Sequence, residues 1–263
     1  MRPSPPNPLS HPHSHPPGRG GTLPWLSWAT ALLAAYGLKL YYSRASVEDL
    51  AWILEPTARA VGWLRGETLV LRSDAGWVAP DGSYVIAPAC AGVNFMILVL
   101  IVSVLGFTHR QRSPGRRLAW WLGSLLGAWV GTIAVNTLRI LAAVEMYHLG
   151  SVAGLTPEQA HRLLGVVLYL GALWGAFGVL DALTVWDAGS HSRLAAVVLI
   201  AGAYLGMTVG VPLLNGAWRH LDGRYAEHAM MVLLVTLALL APMIALALFG
   251  GRNGQTDDPG GRG

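Results

Sequence analysis

Three residues of this 263-residue chain have types and settings that invite chemistry: Cys90, Arg139 and His161. Cys90 is the single cysteine, so it has no intrachain disulfide partner. It falls where a polar segment gives way to an apolar run. A helix starting there presents free N–H groups and a partial positive charge, and both stabilise a thiolate. A lone cysteine is more often a small buried apolar residue, so other residues must support the reading. Arg139 does so. It lies inside the apolar stretch 118–147, in Asn136-Thr-Leu-Arg139-Ile, about eight residues or roughly 12 Å from the end of that stretch. A guanidinium at such depth costs a few kcal/mol unless it snorkels, pairs or faces a polar cavity. Asn136 shares its helix face. The competing explanation is a hydrogen-bonded clamp between helices. His161 opens the next apolar stretch, with Gly165 one turn on. Imidazole moves protons near neutral pH, although a lone interfacial histidine is commonly just an amphipathic side chain reaching for water. His148, beyond the previous stretch, is its rival. Thiolate, proton carrier and cation together form an acyl-transfer set.

The elements that must position these groups are membrane helices. The chain is 53% hydrophobic and 12% charged, with mean hydropathy +0.46. Soluble domains carry about twice that charged fraction. Windows long enough to span occur at 23–43, 91–108, 118–147, 161–184, 194–215 and 229–249. The expected fold is therefore an all-α polytopic membrane protein of about six transmembrane helices, with one membrane domain over 23–249. The first window is too long and too late for a signal peptide, and no small-residue cleavage site follows it. No internal repeat or nucleic-acid module is seen. The net charge of +4 fits basic membrane-flanking loops and gives no ground for a nucleic-acid partner.

Arg110, Arg112, Arg116 and Arg117 form the densest basic cluster, which places the loop 109–117 in the cytoplasm. Both termini follow it there. Residues 44–90, 148–160 and 216–228 then lie outside, in a multi-pass plasma (inner) membrane protein. Arg44, Arg59, Arg65 and Arg72 would also lie outside, but in a longer segment interleaved with acids, where the rule acts weakly. The Pro-, His- and Gly-rich stretch 1–22 reads as a disordered cytoplasmic tail, and 250–263 reads the same way. His11, His13 and His15 could bind a metal, yet the composition is that of a solvated tail, so neither metal nor cofactor is expected.

Segment 44–90 should be a small extracytoplasmic helix–hairpin. Ser46 and Asp49 have capping-box spacing and predict a helix over 46–64 lying in the interface. Strand-like runs at 68–72 and 84–86, separated by Gly76, Pro80, Asp81 and Gly82, predict a hairpin. Gly123, Gly127 and Gly131 repeat every fourth residue, a pattern of close helix packing.

Across roughly 84–170, the order Cys90-Ala-Gly, then Asn136-x-x-Arg139-Ile within a helix, then His161-x-x-x-Gly165 opening the next, resembles the exosortase/archaeosortase family. The string from Cys90 through Asn94 to Phe95 resembles the exosortase K class. The chain has fewer spans than that family often shows. The resemblance implies a membrane-embedded cysteine protease/transpeptidase. Such an enzyme would cleave C-terminal sorting tails of exported proteins at the outer membrane face. Each tail comprises a short motif, a membrane helix and a basic cluster. Carried onto this chain, Cys90 would be the nucleophile, Arg139 the transition-state stabiliser and His161 the acid/base, with Asn94 and Asn136 supporting or binding substrate. Two other classes stay open. One is a transporter whose Arg139 binds an anionic ligand; it would need a polar route, and Asp181 is the main polar residue of the inner half. The other is a non-catalytic envelope scaffold with Cys90 merely packed.

Overall fold

The computed structural model describes residues 25–150, 154–188, 193–216 and 224–249. The expected tails 1–22 and 250–263, with His11, His13 and His15, lie outside the described residues. In chain order come α1 (Trp25–Tyr42), α2 (Ala51–Arg65), β1 (Val70–Arg72), β2 (Gly76–Val78), β3 (Val85–Ile86) and a 3₁₀ turn (Pro88–Cys90). They are followed by α3 (Val93–Phe107), α4 (Pro114–Leu149), α5 (Pro157–Ala188), α6 (Arg193–Leu205), α7 (Val211–Leu214) and α8 (Arg224–Phe249).

Five helices are long and apolar enough to cross a membrane: Pro88–Arg110, Pro114–Leu149, Pro157–Thr184, Leu194–Leu214 and Tyr225–Pro242. They coincide with five of the six sequence windows. The first window became α1, an 18-residue helix whose apolarity is diluted by Lys39, Tyr36, Tyr41 and Tyr42 and which packs along α3. The fold is an all-α polytopic bundle with α3 at its centre. Val93 to Phe107 is apolar on every side, and a helix without a polar face must be surrounded. It is, by α1, α4, α5 and α6.

α4 is the longest element, at 36 residues, about 54 Å at 1.5 Å per residue. That exceeds a hydrocarbon core of roughly 30 Å, so it projects beyond the apolar layer. Ser113 caps its start by accepting from the Arg116 N–H at 3.3 Å, and Pro114 takes the first helical position, where no N–H is needed. α6 runs through a π-helical turn, Gly206–Gly210, into α7. Pro212 follows that turn; its missing N–H disturbs the regular ladder there.

The segment between α1 and α3 differs from the expected hairpin in one respect. The runs at 70–72 and 85–86 are strands, but they do not pair with each other. Both flank β2 in an antiparallel sheet of order β1-β2-β3, with Val70 opposite Val78 and Trp77 opposite Ile86. Trp77 and Val78 are good strand formers hidden between two turns. The second turn is closed by Gly82 at φ 74° and by the Ser83 N–H donating to Asp81 Oδ1 at 3.0 Å. Gly76 is obligatory, since a Cβ there would stand 2.3 Å from the Ile86 carbonyl.

The Ser46–Asp49 box forms as its spacing predicts: Asp49 N–H donates to Ser46 Oγ at 3.2 Å and Ser46 N–H to Asp49 Oδ2 at 2.9 Å. The Ser46 N–H and the Ser46 hydroxyl, both donating to Oδ2, hold the Asp49 carboxyl below its usual range. They close a turn that leads into α2, so the helix begins at Ala51 and not at 46. One face of α2, including Ile53, Leu54 and Val61, is buried, and it lies against α4. Arg65 then fastens the segment, bonding Glu67 at 2.7 Å and Glu145 of α4 at 3.0 Å. Tyr84 donates to the same Glu67, and burial together with that carboxylate pushes its hydroxyl above the ordinary range.

The glycine repeat of α4 does not mark tight packing. A side chain at Gly123, Gly127 or Gly131 would meet nothing within 4 Å, so the stripe borders open space.

At the far end of α3 from Cys90, Arg110 is buried and donates to Asp181 Oδ1 at 2.8 Å and to Thr184 Oγ1 at 2.7 Å, both on α5. Removing one member of a buried pair strands the other, typically at roughly 3–5 kcal/mol. Asp181→Ala should therefore lower the thermal midpoint of detergent-purified protein sharply. Arg110→Met combined with Asp181→Leu should recover most of the loss. An unchanged midpoint in Asp181→Ala would show that the pair does not hold α3 to α5.

Candidate functional site

Cys90 does not sit inside a helix. It ends the 3₁₀ turn, with its N–H bonded to the Ala87 carbonyl at 2.8 Å, and α3 begins three residues later. Gly92 connects the two with φ 72°. A Cβ at Gly92 would lie 2.9 Å from Thr132 Cγ2 and 3.2 Å from Asn136 Cγ on α4. Glycine thus supplies both the left-handed backbone and the close approach that seats the turn on α4. From the other side, Tyr42 near the end of α1 donates to the Pro88 carbonyl at 3.4 Å.

Asn136 is fully buried, and its amide N–H donates to the Cys90 carbonyl. Its Oδ1 accepts from Arg139 Nη1 at 3.3 Å and from the Tyr169 hydroxyl at 2.9 Å. Arg139 Nη1 also donates to Tyr169 at 3.3 Å, while Nη2 lies 3.1 Å from His161 Nε2. A guanidinium can only donate, so Nε2 is the acceptor and the neutral ring carries its proton on Nδ1. The structure therefore brings Arg139 and His161 into direct contact and ties the Cys90 backbone to them through Asn136. Arg139 Nε and His161 Nδ1 are buried and have no hydrogen-bond partner among the described residues.

α5 begins at Pro157, a turn earlier than its apolar run. The cause is a capping box that the sequence reading passed over: Gln159 N–H donates to Thr156 Oγ1 at 3.3 Å and Thr156 N–H to Gln159 Oε1 at 3.1 Å. His161 consequently sits within the helix, and its orientation is fixed by the helical backbone. Tyr169 was also missed, because a tyrosine in an apolar run reads as bulk. The signal was present: His161, Gly165 and Tyr169 recur every fourth residue and so share one face. Gly165 lies beside the guanidinium: a Cβ there would be in ordinary contact, 3.5 Å from Arg139 Nε. Tyr169 stacks on Phe95 with ring centroids 4.8 Å apart, which links the network to α3.

Two sequence candidates fall elsewhere. Asn94 is exposed and accepts from Lys39 of α1 at 2.8 Å. It has no hydrogen bond to Arg139 among the described residues. His148 is largely exposed and 4.0 Å from Glu145, outside the network. Among the described residues no cluster of three His, Cys, Asp or Glu could hold a metal ion.

Compared with known protein families, residues 22–178 match the model of the transmembrane exosortases. The chain belongs to that family. No curated protein and no solved structure matches it. The exosortase match spans α1 to most of α5 and so contains the whole hydrogen-bonded network, whereas α6 to α8 lie beyond it.

Gly92 offers a test of how this exosortase site is held. Gly92→Ala meets both a left-handed backbone, costing about 1–2 kcal/mol, and a clash with α4. Gly66 has φ 70° but open space around its Cβ. Gly92→Ala should change the rate at which a maleimide labels Cys90 in native membranes several-fold, and Gly66→Ala should leave it unchanged. Equal rates in both variants would mean that α4 does not position the Cys90 turn.

Proposed function

We propose that this exosortase-family protein is a cysteine protease/transpeptidase that cleaves C-terminal sorting tails of exported proteins. Its membrane domain occupies 23–249, and its site faces outside the cytoplasm in the plasma membrane. The observation that carries the reading is the continuous hydrogen-bonded chain from the Cys90 carbonyl through Asn136 and Arg139 to His161. The string Cys90 to Phe95 is the ground for a K-class assignment. The outward orientation rests on the basic loop 110–117, at the opposite end of α3 from Cys90.

In this mechanism the Cys90 thiolate attacks the carbonyl carbon of the scissile peptide. The developing oxyanion is stabilised by Arg139, whose Nε–H is not engaged elsewhere, in a site shielded from bulk water. The thiol proton of Cys90 passes to His161 as the thiolate forms, and as the C–N bond breaks the leaving amine takes it from the imidazolium, which returns to the neutral ring. The thioester is resolved by an acceptor amine or by water, which returns a proton to His161. Asn136 and Tyr169 act as positioning residues that hold the guanidinium plane. Asn94, bonded to Lys39 of α1, supports or binds substrate.

A transporter reading asks for polar groups along a route through the bundle. Asp181, the main one deeper in the structure, is engaged by Arg110, and nothing favours that reading.

The test is the fraction of a tagged sorting-tail substrate cleaved, normalised to enzyme in the membrane. Cys90→Ser and Cys90→Ala should abolish cleavage. Arg139→Lys keeps charge but loses the planar fork; it should fold and express normally yet slow turnover by roughly 10²–10³-fold, the usual cost of one oxyanion donor. His161→Ala should stop turnover, and His148→Ala should not. Full processing by a well-expressed Arg139→Ala or His161→Ala enzyme would remove these residues from the mechanism.

A further inference from the structure

The last turn of α1 has no part in the mechanism above, yet it reaches the Cys90 turn. Lys39 and Tyr42 are three residues apart and so share a face of α1. Lys39 Nζ donates to Asn94 Oδ1 in the first turn of α3 at 2.8 Å. The same ammonium lies 5.5 Å from the centre of the Tyr42 ring, within cation–π range. The Tyr42 hydroxyl donates to the Pro88 carbonyl at 3.4 Å, and it is within electrostatic reach of Cys90, Tyr169 and Arg139. A half-buried tyrosine that served only as bulk would leave its hydroxyl in want of an acceptor; here the turn supplies one.

The way the 3₁₀ turn is held explains why that bond matters. The Cys90 N–H bonds the Ala87 carbonyl at 2.8 Å and the Ala91 N–H bonds the Pro88 carbonyl at 3.0 Å. Those bonds close the turn on itself and fix it to nothing else. Two side chains from other helices do that: Asn136 of α4 donates to the Cys90 carbonyl, and Tyr42 of α1 to the Pro88 carbonyl. One tether fixes a position and leaves a pivot. Two tethers, two residues apart and from different helices, fix the direction as well. Lys39 seats the Tyr42 ring and Asn94 seats Lys39, so α1 and α3 together hold the second tether in place.

We propose that Tyr42 is a positioning residue for Cys90: with Asn136 it clamps the 3₁₀ turn from two helices and aims the thiol at His161 and Arg139, which makes the end of α1 a wall of the site. Its consequence for turnover rests on the tail-cleaving reading above, whereas its consequence for the thiol does not.

Cys90 is the single cysteine, so alkylation by iodoacetamide in native membranes reports on it with or without turnover. Tyr42→Phe keeps the ring beside Lys39 and removes only the bond to Pro88. Alkylation at pH 7 should slow roughly three- to ten-fold, the usual net worth of one hydrogen bond, because the thiol is no longer held beside the groups that favour its thiolate. In the tail-cleavage assay kcat should fall by a similar factor while KM stays within about two-fold, the pattern of an interaction that acts on the chemical step. Tyr41→Phe is the control, since the Tyr41 hydroxyl donates to the Asp49 carbonyl and not to the Cys90 turn; both rates should match wild type. Lys39→Met leaves the hydroxyl but unseats its ring. It should slow alkylation in the same direction, and it decides the matter if Tyr42→Phe does not reach the membrane.

Alkylation in Tyr42→Phe as fast as in wild type, or faster, would overturn the assignment. So would an equal loss in Tyr41→Phe, which would reduce α1 to a stabiliser of the fold, or a rise in KM with kcat unchanged, which would make Tyr42 a substrate contact. If wild-type enzyme cleaves no tail, the proposed activity fails, and the alkylation rates still decide the role of Tyr42. If it cleaves and Tyr42→Phe cleaves equally well, the role of Tyr42 alone is refuted.

Discussion

A guanidinium held within an apolar bundle keeps its charge and must find acceptors among its neighbours. Arg139 sets that requirement here, and much of the surrounding structure meets it. Asn136 and Tyr169 turn oxygen atoms towards Nη1, and His161 turns its unprotonated nitrogen towards Nη2. Each of these groups is bound to something further out. Asn136 holds the Cys90 carbonyl, Tyr169 stacks on Phe95, and His161 is placed by a capped α5. One charge thereby draws α3, α4 and α5 into a single polar junction.

The junction forms because α3 lies at the bundle centre with no polar face of its own. Its neighbours must bring the polar groups, and α4 and α5 do so at one end. At the other end the same helices are joined by Arg110 and Asp181, so the bundle has a polar lock near each end and apolar packing between. The α4 wall between those locks is small-residue and open among the described residues.

Outside the bundle, the segment 43–87 serves the site by delivering Cys90. Arg65 and Tyr84 converge on Glu67, and Arg65 reaches Glu145 of α4. The short sheet is thus fastened to the helix that also holds Asn136 and Arg139. Gly92 completes the seating, since only a residue without a Cβ fits between the turn and α4.

The membrane class, five of the expected spans and the residues of the polar junction except Tyr169 were legible in the sequence by itself. Apolar runs, buried charge and helical spacing are local signals, and local signals survive in one dimension. The Ser46–Asp49 and Thr156–Gln159 boxes were equally local, although only the first was read. Tertiary structure alone decided what depends on partners distant in sequence. β2 was hidden because Trp77 and Val78 become a strand only when β1 and β3 flank them. The glycines of α4 carried the pattern of a packed interface, yet whether a neighbour fills such a stripe is a property of the bundle. Asn94 and Asn136 both looked like supporting residues. Which partner each one meets depends on the helix beside it: α1 with Lys39 for one, α5 with Tyr169 alongside Arg139 for the other. The sequence thus determined which polar groups enter the apolar layer, since each entry shows as a break in hydropathy. Only the packing of α3 against α4 and α5 determined which of them meet, because that contact is set by helix faces from separate parts of the chain.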